Sequence, residues 1–376
     1  MTRILLALAV VCAGIAAVRA QGPAAVRETA VLKASNAEAY DHFGEGGALP
    51  GHTGNTVALS RDGSTIAVGA PHEASGAAGI NPSQSDDSTM NAGAVYVYTR
   101  SGNSWTQQAY LKPSNPQRNA HFGTVVALSE NGDTLAVGVY DESGNGRTVN
   151  APVNRDRGGS GAVYIWTRAG HAWTKQAYLK TWNAEGGDSW GSVVSLSSDG
   201  HTLAVGSLDE DCLCAGVHTN PEIGIGDQKA DLSSGGAAVF VRNGTAWSQQ
   251  AYLKASNPGQ DDWFGVRLAL SGDGNSLVVA APNEDSNGRG VNAAVNDGGA
   301  ESGAAYLFVR AGSAWKQAAY IKAANADQYD EFGTSVAFSR DGRTFVVGAR
   351  GEDSGPKGGP ADNSVDEAGA VYVFTR

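Results

Sequence analysis

The feature that most limits what this chain can fold into is one segment that returns five times. It reads "AVLKASNAEAYDHFG" from Ala30, "AYLKPSNPQRNAHFG" from Ala109, "AYLKTWNAEGGDSWG" from Ala177, "AYLKASNPGQDDWFG" from Ala251 and "AYIKAANADQYDEFG" from Ala319. Its lysines fall at 33, 112, 180, 254 and 322, with an insertion near residues 45–54 lengthening the first interval. Self-similarity at a fixed period marks stacked supersecondary units, none of which can bury its apolar faces alone.

Each unit reads as four antiparallel strands. The first runs from the Phe-Gly pair through a stretch such as "TVVALS", and the second is "TLAVGV" or its equivalent. Between them stands Asp-Gly at 62, 199, 273 and 341, or Asn-Gly at 131. These dipeptides mark tight hairpins because both central residues tolerate positive φ. The third strand, "GAVYVYTR", ends at Arg100, Arg168, Arg242, Arg310 or Arg376, and the fourth begins at Trp105, Trp173, Trp247 or Trp315.

Four antiparallel strands repeated in this way predict an all-β, five-bladed β-propeller, whose blades bury their faces on each other. The blades are expected near 43–112, 122–180, 190–254, 264–322 and 332–376. The last ends on a third strand, while "VRETAVLK", residues 26–33, aligns with a fourth strand. The economical expectation is that residues 26–33 complete the fifth blade and close the ring.

Ahead of the repeats, Arg3, an apolar run from Leu5 to Ala17 and Val18-Arg19-Ala20 have the layout of a secretory signal peptide, leaving 21–376 as one domain. No later segment approaches the ~18 apolar residues of a membrane span. Removing Arg3 and Arg19 with residues 1–20 moves the formal net charge from -11 to -13. So acidic a surface repels phosphate backbones, which argues against nucleic acid and anionic membranes. Cys212 and Cys214 are too few for a disulfide framework. Extended residues two apart lie ~7 Å from Cα to Cα, so they are expected as two thiols or one strained local bridge.

The units resemble FG-GAP repeats, the blade motif of integrin α-chain propellers and of many secreted bacterial proteins. Phe-Gly stands at 43–44, 122–123, 264–265 and 332–333, with Trp190-Gly191 in the third unit; "GAP" is intact at 69–71 and softened elsewhere. The resemblance implies a propeller that binds partners on the face carrying its long loops. The family's calcium loops do not carry over. Turns such as "SRDGST" and "SGDGNS" offer one or two acidic groups each, against the 6–8 oxygens Ca2+ takes. Their aspartates are turn formers.

On the long-loop face a glutamate follows every second strand: Glu73, Glu142, Glu210, Glu284 and Glu352. Two readings stand, a cation- or partner-binding rim, and a structural carboxylate pairing with the lysine of its blade. Ca2+ inside loops such as "NEDSNGRGVN" is a further option, with Glu284, Asp285 and Asp353 as candidates. The asparagine three after each lysine is expected to close a turn with its own side chain. Trp182 and Trp263 break the repeat, and each is either a ligand platform or a filler between blades.

No nucleophile elbow, phosphate loop or zinc-spaced histidine pair is present. The expected protein is a secreted or periplasmic monomer that binds an extracellular protein or glycan without catalysis. The alternative is a hydrolase or lyase using carboxylates at the channel mouth.

Overall fold

The computed structural model describes residues 27–45, 54–223, 232–355 and 363–376. Two compact units divide the chain, Met1–Val31 and Leu32–Arg376. Of the first, the described residues 27–31 carry no strand. The second contains five antiparallel sheets and, among its described residues, no helix. This agrees with the blades of a β-propeller.

The sheets repeat one plan. In sheet 2, strands Val125–Leu128, Thr134–Val139, Ala162–Ala169 and Ala172–Leu179 are hydrogen-bonded in sequence order. Sheet 4 does the same with Arg267–Leu270, Ser276–Ala281, Ala304–Ala311 and Ala314–Ile321. Sheets 1 and 3, Val57–Lys112 and Val193–Leu253, add a two-residue strand outside the fourth, Gly79–Ile80 and Val217–His218. Sheet 5 has three strands, Phe332–Phe338, Thr344–Ala349 and Ala370–Thr375.

Residues 27–33, the described part of the expected closing strand 26–33, carry no strand assignment, and the Ala370–Thr375 edge leaves Val371 and Val373 each 66% exposed. The physical difference from the other sheets is the tether. In sheets 1–4 a two-residue turn delivers the fourth strand to the third, as between Arg310 and Trp315. Residues 26–33 have no such turn and would have to close a loop of most of the chain.

Local chemistry accounts for the hairpins. In each first turn a serine hydroxyl bonds the residue two on: Ser60–Asp62 2.7 Å, Ser129–Asn131 2.7 Å, Ser197–Asp199 2.6 Å, Ser271–Asp273 2.6 Å and Ser339–Asp341 2.7 Å. The following glycine supplies the positive φ. Tip also bonds to tip in series. Arg61 N donates to Glu130 O, Glu130 N to Ser198 O, Ser198 N to Gly272 O and Gly272 N to Arg340 O, at 2.9–3.0 Å.

Consecutive sheets meet through their first strands and the Phe-Gly pairs. Phe122, Phe264 and Phe332 are fully buried and Trp190 is 1% exposed. Phe264 meets the edge of Tyr306 at 5.2 Å, and Phe332 that of Tyr372 at 5.3 Å. The glycine is required because two backbones touch: a Cβ on Gly69 would lie 1.9 Å from Gly123 O, where Gly123 has φ +94°. That contact links the "GAP" of one unit to the Phe-Gly of the next.

Candidate functional site

The five glutamates lie at the long-loop end of their sheets, and all are buried, 1–2% exposed. Four bind the fourth-strand lysine of their own unit: Lys112–Glu73 2.5 Å, Lys180–Glu142 3.2 Å, Lys254–Glu210 2.9 Å and Lys322–Glu284 2.7 Å. The ammonium is completed by a serine in three sheets, Ser160 2.6 Å, Ser234 2.7 Å and Ser302 2.6 Å. Burial pulls Lys112, Lys180 and Lys322 below the usual lysine pKa, and the paired carboxylate opposes that shift. The arrangement is an enclosed ion pair, and Lys180 and Lys254 also donate to the carbonyls of Gly161 and Gly235.

The repeated asparagine does not close its own turn, as its sequence suggests, but reaches into the next sheet. Asn36 donates to Glu73 at 3.1 Å, Asn183 to Glu210 at 3.2 Å, Asn257 to Glu284 at 2.8 Å and Asn325 to Glu352 at 2.6 Å. In the second sheet Gln117 replaces Asn115 in this role, 3.1 Å from Glu142. Glu352 differs from the other four. It is held by Asn325, Tyr372 (2.6 Å) and Ser354, with no lysine among the described residues, and Lys33, the repeat equivalent, lies exposed.

A second buried carboxylate accompanies the glutamate in four sheets. Asp41, Asp188, Asp262 and Asp330 each accept the amide three residues earlier, at 2.6–2.8 Å. Desolvation, chiefly, pushes Asp188 to about 8, Asp262 to about 7 and Asp330 to about 6, and the neighbouring glutamate adds to each. Among the calcium candidates, Glu284 is the partner of Lys322, Asp285 accepts Glu301 N at 2.8 Å, and Asp353 accepts Glu367 N at 2.7 Å. No group of three or more His, Cys, Asp or Glu among the described residues is placed to hold a metal ion.

Trp182 is half-buried against the cluster containing Phe240 and Trp247, with its indole nitrogen enclosed and unbonded. Trp263 is also half-buried, but its backbone is left-handed, φ +57°. It belongs to a repeated pair of such residues on every link: Tyr40 and His42, Asn119 and His121, Gly187 and Ser189, Asp261 and Trp263, Tyr329 and Glu331, with φ between +50° and +90°. Amide bonds to the preceding long loop hold the conformation, as with Trp263 N to Ser233 O and Tyr329 N to Ala300 O. Such φ values cost of order 1–3 kcal/mol per non-glycine residue and persist only where the surroundings impose them. The links thus present different side chains from one fixed geometry.

Histidines scattered in sequence meet there. The rings of His42 and His72 stack at 4.3 Å, His72 lies 5.3 Å from His121, and His121 stacks on Tyr140 at 5.7 Å. Burial, then the neighbouring His42, lowers the pKa of His72. Sequence spacing gives no sign of this group, although its position before Phe-Gly is the one that singles out Trp263.

Of the cavities lined by described residues, two bear on function. One, about 770 Å³, opens at the long-loop end between sheets 4 and 5, lined by Asn287, Arg289, Asp327, Tyr329, Asp353 and Asn363 among others. Tyr329 is 59% exposed at its edge. The other, about 1120 Å³, is larger but lies at the hairpin ends, among charges that mostly satisfy one another. Arg168 meets Asp133 at 2.9 Å, and Arg61 and Arg340 both reach Glu130. Size alone favours the second; exposed aromatic surface with polar groups favours the first as a recognition site. Cys212 and Cys214 form a disulfide with Cα atoms 5.2 Å apart, so the loop folds tighter than an extended pair.

A family model described as FG-GAP repeat matches residues 105–166, 247–308 and 315–374. No curated protein matches the chain in sequence. Solved structures similar to it include the hydrazine synthase of Kuenenia stuttgartiensis, 12% identical with a TM-score of 0.43, covering 85% of this chain and 62% of that one. The periplasmic gluconolactonase of Pseudomonas aeruginosa is 14% identical with a TM-score of 0.43, covering 79% of this chain and 65% of that one. The chain therefore spans less than two thirds of either.

Proposed function

Because the chain is an FG-GAP repeat protein, we propose that it is an exported binding module that recognises an extracellular glycan or protein through its long-loop end. The observation that carries this is the cavity beside Tyr329, where an exposed ring stands among Asn287, Asn363, Asp353 and Arg289. A flat apolar face bordered by planar polar groups suits sugar rings and protein anchors alike. Trp263, at the corresponding link, is the second contact in this reading. The test is a glycan array and secretome capture with mature protein, residues 21–376. Tyr329→Ala and Trp263→Ala are expected to weaken capture at least tenfold without lowering Tm by more than a few degrees. Capture undiminished in both variants would move recognition elsewhere.

A second reading, proton-transfer catalysis, rests on Asp209. Burial and, secondarily, Asp211 push it up to about 6 beside Ser189, within the range of a general acid. Turnover of a glycoside, lactone or ester panel that vanishes in Asp209→Asn would replace the binding reading.

The proposal takes the sheets as a closed five-bladed propeller in which residues 26–33 supply the outer strand of sheet 5. The buried Glu352, which meets no lysine among the described residues, supports it, since four other sheets place a lysine there. Transferring the register Val95↔Leu111, Tyr96↔Tyr110 and Val97↔Ala109 sets Leu32 opposite Val371, Val31 opposite Tyr372 and Ala30 opposite Val373, with Lys33 at Glu352. Cysteines at Ala30 and Val373 are expected to cross-link on mild oxidation. A monomer in which they stay free would defeat closure.

A further inference from the structure

Arg242 is left incomplete where its counterparts in sheets 2 and 4 are not. In sheet 2, Arg168 donates from Nε to Asp133 (2.9 Å), from Nη1 to Gln108 (3.2 Å) and from Nη2 to Thr65 (3.2 Å). In sheet 4, Arg310 donates from the same three nitrogens to Asn275 (3.0 Å), Gln250 (3.2 Å) and Thr202 (3.1 Å). Arg242, in sheet 3, packs over Trp247 at 5.6 Å and donates from Nη1 to Gln176 at 3.2 Å. Its Nε is enclosed and has no acceptor.

The cause is one residue. The oxygen that Asp133 and Asn275 provide is missing in sheet 3, where the equivalent position is His201. That ring lies 3.5 Å from Asp199, whose carboxylate is already committed to Ser197 Oγ (2.6 Å) and His201 N (2.9 Å). Arg242 and His201 both line the cavity of about 1120 Å³ at the hairpin end. Desolvation lowers the pKa of this guanidinium and the charge of Asp199 opposes that, but Asp199 makes no hydrogen bond to Nε, so an anionic acceptor in contact is its natural complement.

We propose that Arg242 binds one oxyanion group of a ligand, a carboxylate, sulfate or phosphate, in the place where sheets 2 and 4 carry their own oxygen. Nε and the adjoining Nη2 supply the two parallel donors of a bidentate contact. His201 borders the same space and, when protonated, adds a further donor. This face is opposite the long-loop end, so the site stands whether or not the recognition reading above does.

The experiment asks whether the repeat's own residue displaces the anion. Thermal unfolding of full-length mature protein is followed with sodium sulfate, phosphate or acetate, against sodium chloride at equal ionic strength. Sulfate also stabilises proteins by exclusion from their surface, so the variant comparison decides. The wild type is expected to show a saturable rise in Tm of several degrees. His201→Asp, which restores the sheet 2 arrangement, is expected to have the higher Tm in chloride and no saturable response. Response to acetate as well as sulfate assigns a carboxylate-bearing ligand; response to sulfate and phosphate alone assigns a sulfate or phosphate ester. A wild type indistinguishable from its chloride control, or a His201→Asp protein that responds equally, overturns the site. Arg242→Met is the confirming variant, and should it fail to fold the His201→Asp comparison still stands.

Discussion

Sheets 4 and 5 are assembled from nearly the same strands, yet they treat the same glutamate differently. Glu284 sits against Lys322, Ser286, Asn257 and Tyr320, whereas Glu352 has Asn325, Tyr372 and Ser354 and, among the described residues, no cation. Both are 2% exposed. Burial of the carboxylate therefore does not depend on the ion pair; strand connectivity and the asparagine of the previous link position it. What the lysine adds is neutrality, and it comes only with a fourth strand.

The largest expected effect tests that difference directly. Glu284→Ala leaves Lys322 enclosed without a counter-charge and should cost about 3–5 kcal/mol in urea unfolding. Glu352→Ala removes hydrogen bonds alone and should cost about 1–3 kcal/mol. Equal losses would mean that Glu352 has a cation in solution, with Lys33 the first candidate, and Lys33→Met should then account for the excess.

Next in size is a difference in pH response. A carboxyl whose pKa is raised on folding binds its proton more tightly in the native state, so stability is fully present below the unfolded value and falls as pH rises. For Asp262 the fall runs from near 4 to about 7, and for Asp330 from near 4 to about 6. Asp262→Asn should flatten the Tm profile across the wider window, Asp330→Asn across the narrower one. A profile rising through pH 5–7 in the wild type, and unchanged by both substitutions, would contradict these assignments.

Smaller still is the arginine position. Arg310→Gln loses its contact with Trp315 at 5.3 Å and three hydrogen bonds, and is expected to cost about 1–2 kcal/mol. Arg376→Gln has no fourth-strand tryptophan to lose and should cost less. The smallest expected effect is that of calcium: Tm in calcium and in chelator should agree within error, and a rise confined to calcium would reopen the loop around Asp285.

Much of this fold is legible because its rules are local and repeated. The Asn-Gly and Asp-Gly turns, the Phe-Gly pairs and the arginine–tryptophan strand ends announce themselves by spacing. The partners of those residues are less so. Glu142 could be read from sequence as rim or as ion pair, and only the depth at which the second strand ends decides. Asn257 reaches a glutamate in the following unit, a non-local contact that turn chemistry does not suggest. His42, His72 and His121 are far apart in the chain and meet only because consecutive sheets share a seam. The outer strand expected of residues 26–33 rests on strand counting, which carries no information about the free energy of docking an untethered segment.

The serial bonding of hairpin tips has an implication for how such proteins change in size. Each of the three middle tips donates one amide and accepts another through its carbonyl, whatever its side chains, so excision or duplication of a whole unit would leave the next tip facing an equally suitable mate. Nothing in that interface sets a number of units, so the backbone contacts at the glycine seams are the better place to look for what does.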